Sequence, residues 1–203
     1  MTLLDRILLL ATGLVAIYLL YRFWARYSKG KALHDMYYML GFAVLLVSGL
    51  LLILLGYGIL ASPYVLTVAS LIPLGISMGI AEQYFPSWKK AFKWFALIGI
   101  LAIALTSIAG MDVLKKIAVP LFHGVAGMVI FLGPFYAKKA PQGFWWVGIG
   151  GVLIGLGGIA LAFISVGAQL LFFTPAFVMQ ILAGLLLLMA LAFAWGFMKD
   201  IRG

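Results

Sequence analysis

The chain has no cysteine and no asparagine, and charged residues make up only 9% of its 203 positions. Without cysteine it forms no disulfide, no thiolate metal site and no iron–sulfur cluster held by its own side chains. With so little charge it lacks the polar surface that a soluble domain of this length requires. Cysteine and asparagine are thermolabile, so their joint absence points to a thermophilic source. Acidic side chains are also scarce, five against 14 Lys and Arg, which leaves a formal charge of +9. A surplus of that size suits a nucleic-acid partner. Here, however, the basic residues sit in short clusters between apolar runs, where they meet anionic headgroups and set topology, so no nucleic-acid contact is expected.

What fills the chain is hydrophobic: 66% of residues, with a mean hydropathy of +1.21. The apolar runs are long enough to span a bilayer, which takes about 20 helical residues. They fall at about 7–24, 37–60, 64–84, 92–110, 117–136, 144–167 and 175–197. The expectation is an all-α, polytopic transmembrane bundle of seven spans, forming a single domain over residues 1–203. The first run carries Asp5 and Arg6 at its start and Tyr18, Tyr21, Arg22, Phe23 and Trp24 towards its end, with no small-residue cleavage site. It reads as a retained span rather than a signal peptide.

Loop charge predicts an orientation. If the loops after spans 1, 3, 5 and 7 are cytoplasmic, then Arg22, Arg26, Lys29, Lys31, Lys89, Lys90, Lys93, Lys138, Lys139, Lys199 and Arg202 face inward, eleven of the 14 Lys and Arg. Arg6, Lys115 and Lys116 face outward. The positive-inside bias puts the N-terminus outside and the C-terminus in the cytoplasm, in a prokaryotic cytoplasmic membrane. All six tryptophans (Trp24, Trp88, Trp94, Trp145, Trp146, Trp195) fall at the same ends, where indole rings sit among headgroups.

Span 6 carries Gly148, Gly151, Gly155 and Gly158 on one helical face, with Ala162 and Ser165 in continuation. Small residues at such spacing let two backbones approach closely. The face serves packing within the chain, a contact with another subunit or membrane partner, or a smooth passage.

Ionisable residues at depth are costly and are functional candidates for that reason. Asp35 opens span 2 and Glu82 closes span 3, both towards the cytoplasmic side, as an interfacial ion pair or as a gate or proton-coupling pair. Glu82 has Lys89, Arg26 and Arg22 within sequence reach as partners. His34, beside Asp35, titrates near neutral pH or simply starts the helix. His123 lies inside span 5, between Pro120 and Gly127, and a buried imidazole needs partners for both nitrogens. Thr67, Ser70, Thr106 and Ser107 are available hydroxyls; axial haem ligation through His123 is the alternative. His34 and His123 lie at different depths, so one haem held by both is not expected. Pro73, flanked by Ser70 and Ser77, is expected to kink span 3 near the bilayer centre and free a carbonyl, as in transporter sites.

No His-Glu-x-x-His pair, glycine-rich phosphate loop or nucleophile–base arrangement is present, so nothing points to an enzyme. Retinal is excluded, because span 7 holds no lysine before Lys199. The residues favour movement of a small solute or ion, or the membrane part of a system that does this. On this reading Ser70, Pro73, Ser77 and His123 line the site. An embedded scaffold or assembly subunit is the alternative, and a monohaem electron-transfer subunit the third.

Overall fold

The computed structural model describes residues 1–165 and 174–202. Helix α1 spans Leu3–Gly30 and α2 Leu33–Leu55; a short 3-10 turn, Tyr57–Ala61, leads to α3 at Pro63–Ala69 and α4 at Leu71–Tyr84. Then follow α5 (Lys89–Ile108), α6 (Asp112–Tyr136), α7 (Trp145–Ser165) and α8 (Pro175–Arg202). An all-helical design is what lipid demands, because each backbone N–H and C=O must be satisfied within its own segment.

Among the described residues, six of these units are long and apolar enough to cross a membrane: α1, α2, the α3–α4 pair, α5, α6 and α8. The protein is therefore an all-α, multi-pass membrane bundle. The segment expected at 144–167 is also an apolar helix, α7, described as far as Ser165. The last two residues of that expected segment and the stretch from there to Phe173 lie outside the described residues, as do the side chains of Ala162 and Ser165.

Local signals set the helix ends. Thr2 caps α1: its hydroxyl accepts from the Asp5 N–H at 3.2 Å, and the Asp5 carboxylate accepts from the Thr2 N–H at 2.7 Å. This reciprocal box satisfies two of the free donors at a helix start. Lys31 closes the other end in the left-handed region, φ 51°. Two helices outrun the hydropathy-based bounds. Helix α1 continues past Trp24 to Gly30, and α8 past Phe197 to Arg202, because their last turns bear snorkelling basic residues and internally paired charges.

Six helices close a ring in the order α1, α2, α4, α6, α7, α8, with α8 returning to α1. Helix α5 packs outside it, against α3, α4 and α6. All six contribute to one core, led by Phe23, Tyr38, Phe42, Phe193 and Phe197, with Ile76, Ile80 and Ile130 behind them. The periphery is just as apolar: Leu54, Val113 and Leu105 are 75%, 74% and 65% exposed, a surface that fits lipid rather than water.

The α2–α4 crossing shows how small residues place large ones. A Cβ on Gly75 would stand 3.0 Å from the Tyr37 carbonyl oxygen and 3.0 Å from the Gly41 nitrogen. One turn on, the missing Cβ of Gly79 makes room for the Tyr38 ring. Tyr38 is thereby laid across α4 towards the polar end of the bundle.

Candidate functional site

The polar groups gather at the end of the bundle that carries most Lys and Arg, here called the basic end. Arg26 on α1 is its centre. Its Nε donates to Asp35 Oδ1 at 2.7 Å, and Nη2 stands 2.5 Å from the same oxygen. Its Nη1 donates to Asp200 Oδ2 at 2.5 Å, so one guanidinium joins α1 to α2 and α8. Helix α4 adds the rest. Gln83 Nε2 donates to Asp200 Oδ1 at 2.8 Å, the Tyr84 hydroxyl donates to the same oxygen, and the Tyr38 hydroxyl donates to Gln83 Oε1 at 2.9 Å. Four helices thus share one hydrogen-bonded network.

This network is dry at its core. The Asp35 side chain is 0% exposed and Asp200 5%, while Arg26 retains 22%. Below lies an aromatic floor in which Phe23 stacks on Tyr38 and Phe42, and the Arg26 guanidinium sits 5.5 Å above the Phe23 ring. With His34 neutral, two carboxylates share one guanidinium, a net charge of −1. His34 Nε2 is 3.8 Å from Asp35 Oδ1. Asp35 Oδ2 is buried with no hydrogen-bond partner. Arginine suits the central place because its planar fork addresses two acceptors at once and stays charged on burial.

Glu82 belongs to a second set. Lys89 Nζ is 2.9 Å from its Oε1 and Lys93 Nζ 2.7 Å from its Oε2. Both lysines lie on the first turns of α5, so Glu82 fastens the α4–α5 turn at Pro86. Lys93 also lies 5.7 Å over the Tyr37 ring. Asp35 and Glu82 therefore share an end of the bundle but not a partner: arginine holds one and lysines the other.

The remaining candidates are spread along the bundle. The helix break expected at Pro73 is centred on Ser70, between α3 and α4, and Pro73 sits in the first turn of α4. The Ser70 N–H still reaches the Leu66 carbonyl at 3.1 Å, and the Leu74 N–H reaches the Ser70 carbonyl at 3.2 Å. The chain interrupts its ladder there without unwinding, because only the proline nitrogen lacks a proton. Ser70 donates to the Thr67 carbonyl at 2.6 Å and Ser77 to the Leu74 carbonyl at 3.0 Å. Both hydroxyls are turned back on their own helix.

His123 stands against the glycine face of α7. A Cβ on Gly158 would lie 2.9 Å from His123 Cδ2 and 3.5 Å from Nε2. Its Nδ1 is buried without a partner. Of the four hydroxyls considered for it, Thr67 donates to Pro63 at 2.8 Å and Thr106 to Ala102 at 2.7 Å, Ser70 is bonded as above, and the Ser107 hydroxyl is buried without a partner. His34 and His123 lie on separate packing surfaces, the first beside Asp35 and the second beside Gly158.

The glycine series meets a partner within the chain. A Cβ on Gly148 would stand 2.7 Å from the Phe131 carbonyl oxygen, and one on Gly151 2.6 Å from the Phe131 nitrogen. Further along, Gly127 of α6 faces Gly155. Gly150 and Gly157 face the other way, towards Phe193 and Leu185 of α8.

Asp200 is the functional-site residue that sequence reading passes over, together with Gln83, Tyr38 and Tyr84. A usable signal is present nonetheless. The chain has only five acidic residues, and each one near an apolar run calls for a cationic partner. No protein-family model, no curated protein and no solved structure matches this chain.

Proposed function

We propose that the protein is an integral membrane scaffold or assembly subunit, a multi-pass bundle whose role is to present a rigid, lipid-embedded surface to a larger complex. The observation that carries this reading is the Arg26 network. It joins α1, α2, α4 and α8 through two buried carboxylates that share one guanidinium. The candidate transport groups support it as well, because Glu82, Ser70 and Ser77 are already bonded inside the chain. Extraction from native membrane in mild detergent, followed by size analysis and mass spectrometry, tests it. A stable assembly larger than the 22.0 kDa chain is the expected result. A monodisperse single chain, together with solute or ion flux in proteoliposomes, overturns it.

A second reading is favoured by one observation, the buried and unpartnered Nδ1 of His123. In it the protein moves a small solute or ion past His123 and the Ser70–Pro73 interruption, and the Arg26 network is a closed cytoplasmic gate. Flux that falls in both Glu82→Gln and His123→Leu supports transport; unchanged flux removes it. An absorbance scan for a Soret band decides haem on His123.

Both readings use seven spans in one domain, with the N-terminus outside a prokaryotic cytoplasmic membrane. The cysteine-free chain makes this directly testable. Single cysteines at Ala61 and Thr174 should react with an impermeant thiol reagent in intact cells. Those at Ser87, Gln142 and Arg202 should react only after permeabilisation.

A further inference from the structure

We propose that a groove along the outer face of α6 binds one anionic phospholipid, with an acyl chain against the helix and the phosphate among the lysines of the basic end. The groove has a volume of about 580 Å³. Phe85 and Trp88 wall its basic end, and Gly124, Met128, Gly133 and Tyr136 are among the α6 residues that line it. From Pro120 to Tyr136 it follows the helix for about 24 Å at ~1.5 Å per residue. That length accommodates an acyl chain through the ~15 Å of hydrocarbon in one leaflet. Gly124 opens part of its floor: a Cβ there would meet nothing within 4 Å.

The mouth supplies the headgroup chemistry. Trp88 and Tyr136 are 36% and 69% exposed, as interfacial aromatics are. Lys138 and Lys139 follow Tyr136 directly after Ala137, and Lys90 follows Trp88 by two positions. All three are exposed, and among the described residues no carboxylate pairs with them, whereas Lys89 and Lys93 are held by Glu82. Three ammonium groups without a carboxylate, each within three positions of the groove residues Trp88 or Tyr136, complement one phosphate beside its tail. A second, smaller groove of about 150 Å³, between α7 and α8, is lined by Leu156, Ala160, Val178 and other apolar residues, with no cation among them. It therefore has apolar contact to offer but no headgroup partner.

Native mass spectrometry of the whole chain, titrated with phosphatidylglycerol or phosphatidylcholine, tests this. The unaltered protein should retain one phosphatidylglycerol in preference to phosphatidylcholine. Lys90→Gln, Lys138→Gln and Lys139→Gln together should remove the preference, at about fivefold per lysine. Gly124→Trp should remove the bound lipid whatever its headgroup, and Met128→Trp, on an exposed groove residue, gives the same reading should the first variant misfold. Equal retention of both lipids by the unaltered protein, or full retention in a correctly folded groove-filling variant, overturns the proposal. So does a dimer that Gly124→Trp dissociates, which would make the occupant a second copy of the chain.

Discussion

At the basic end four helices are joined through their side chains, whereas along the α6–α7 seam two helices are joined by the lack of them. Arg26 reaches two carboxylates on two other helices. Gly148 and Gly151 instead let α7 lie directly on the α6 backbone. The difference follows the side chains each contact has to offer. Near the headgroups a charged group can keep part of itself hydrated, as Arg26 does, and still bind across helices. The seam, which runs from Gly148 near that same end to Gly158, offers no side chain to pair, so close backbone contact is its source of cohesion. The seam also holds the exception, His123, a polar ring pressed on Gly158 with one nitrogen unserved.

The largest effect should come from breaking the centre of the basic end. Arg26→Met leaves Asp35 and Asp200 buried without their cation and is expected to cost about 3–5 kcal/mol. Denaturant unfolding in micelles, followed by tryptophan fluorescence, measures it. Adding Asp35→Leu to that variant should recover part of the loss, because the fully buried carboxylate is then gone. A loss below about 1 kcal/mol for Arg26→Met would class the network with solvated surface pairs and erase the contrast with the seam.

The seam comes next. Gly151→Ala puts a methyl group 2.6 Å from the Phe131 nitrogen and 2.8 Å from the Ile130 carbonyl carbon, backbone atoms that cannot rotate away. Overpacking of this kind costs about 1–3 kcal/mol. Gly155→Ala is the internal control, since its Cβ would meet nothing within 4 Å. It should be neutral or stabilising by up to about 1 kcal/mol through helix propensity. Equal destabilisation by both substitutions would mean that the seam does not discriminate by contact.

These two regions also differ in how far they can be read without coordinates. Helix type, the apolar segments and the gathering of tryptophan and lysine at one end were legible, because hydropathy and interfacial preference act residue by residue. The glycine spacing showed a shared face, but spacing carries no information about which helix meets it, and Phe131 and Ile130 announce nothing by their type. Asp200 was hidden for a different reason. It lies after the apolar run, in a last turn that resembles a solvated tail, and only the return of α8 to α1 brings it to Arg26. The interruption of the third apolar run was legible to within one turn. Pro73 marks the missing N–H, while the visible break falls at Ser70, just before the Leu71 start of α4.

His123→Leu sharpens the exception within the seam. If the imidazole merely fills space, a leucine relieves the unpaired Nδ1 and the protein gains about 1 kcal/mol, at the low end of the ~1–3 kcal/mol that an unsatisfied buried group costs. A loss instead would place a partner on that nitrogen and move weight to the transport reading.

The smallest effect separates the two ion-pair sets of the basic end. Glu82 is held by Lys89 and Lys93, which are 41% and 35% exposed, so water and salt compete for every member of the set except the carboxylate. Glu82→Gln should therefore cost about 0–1 kcal/mol, and raised salt should shrink the difference further. Arg26→Met should respond little to salt, because screening does not reach a pair whose carboxylates are buried. Unfolding the two variants at low and high ionic strength thus compares a rim fastening with an internal one, and an equal salt response in both would place Arg26 on the rim as well.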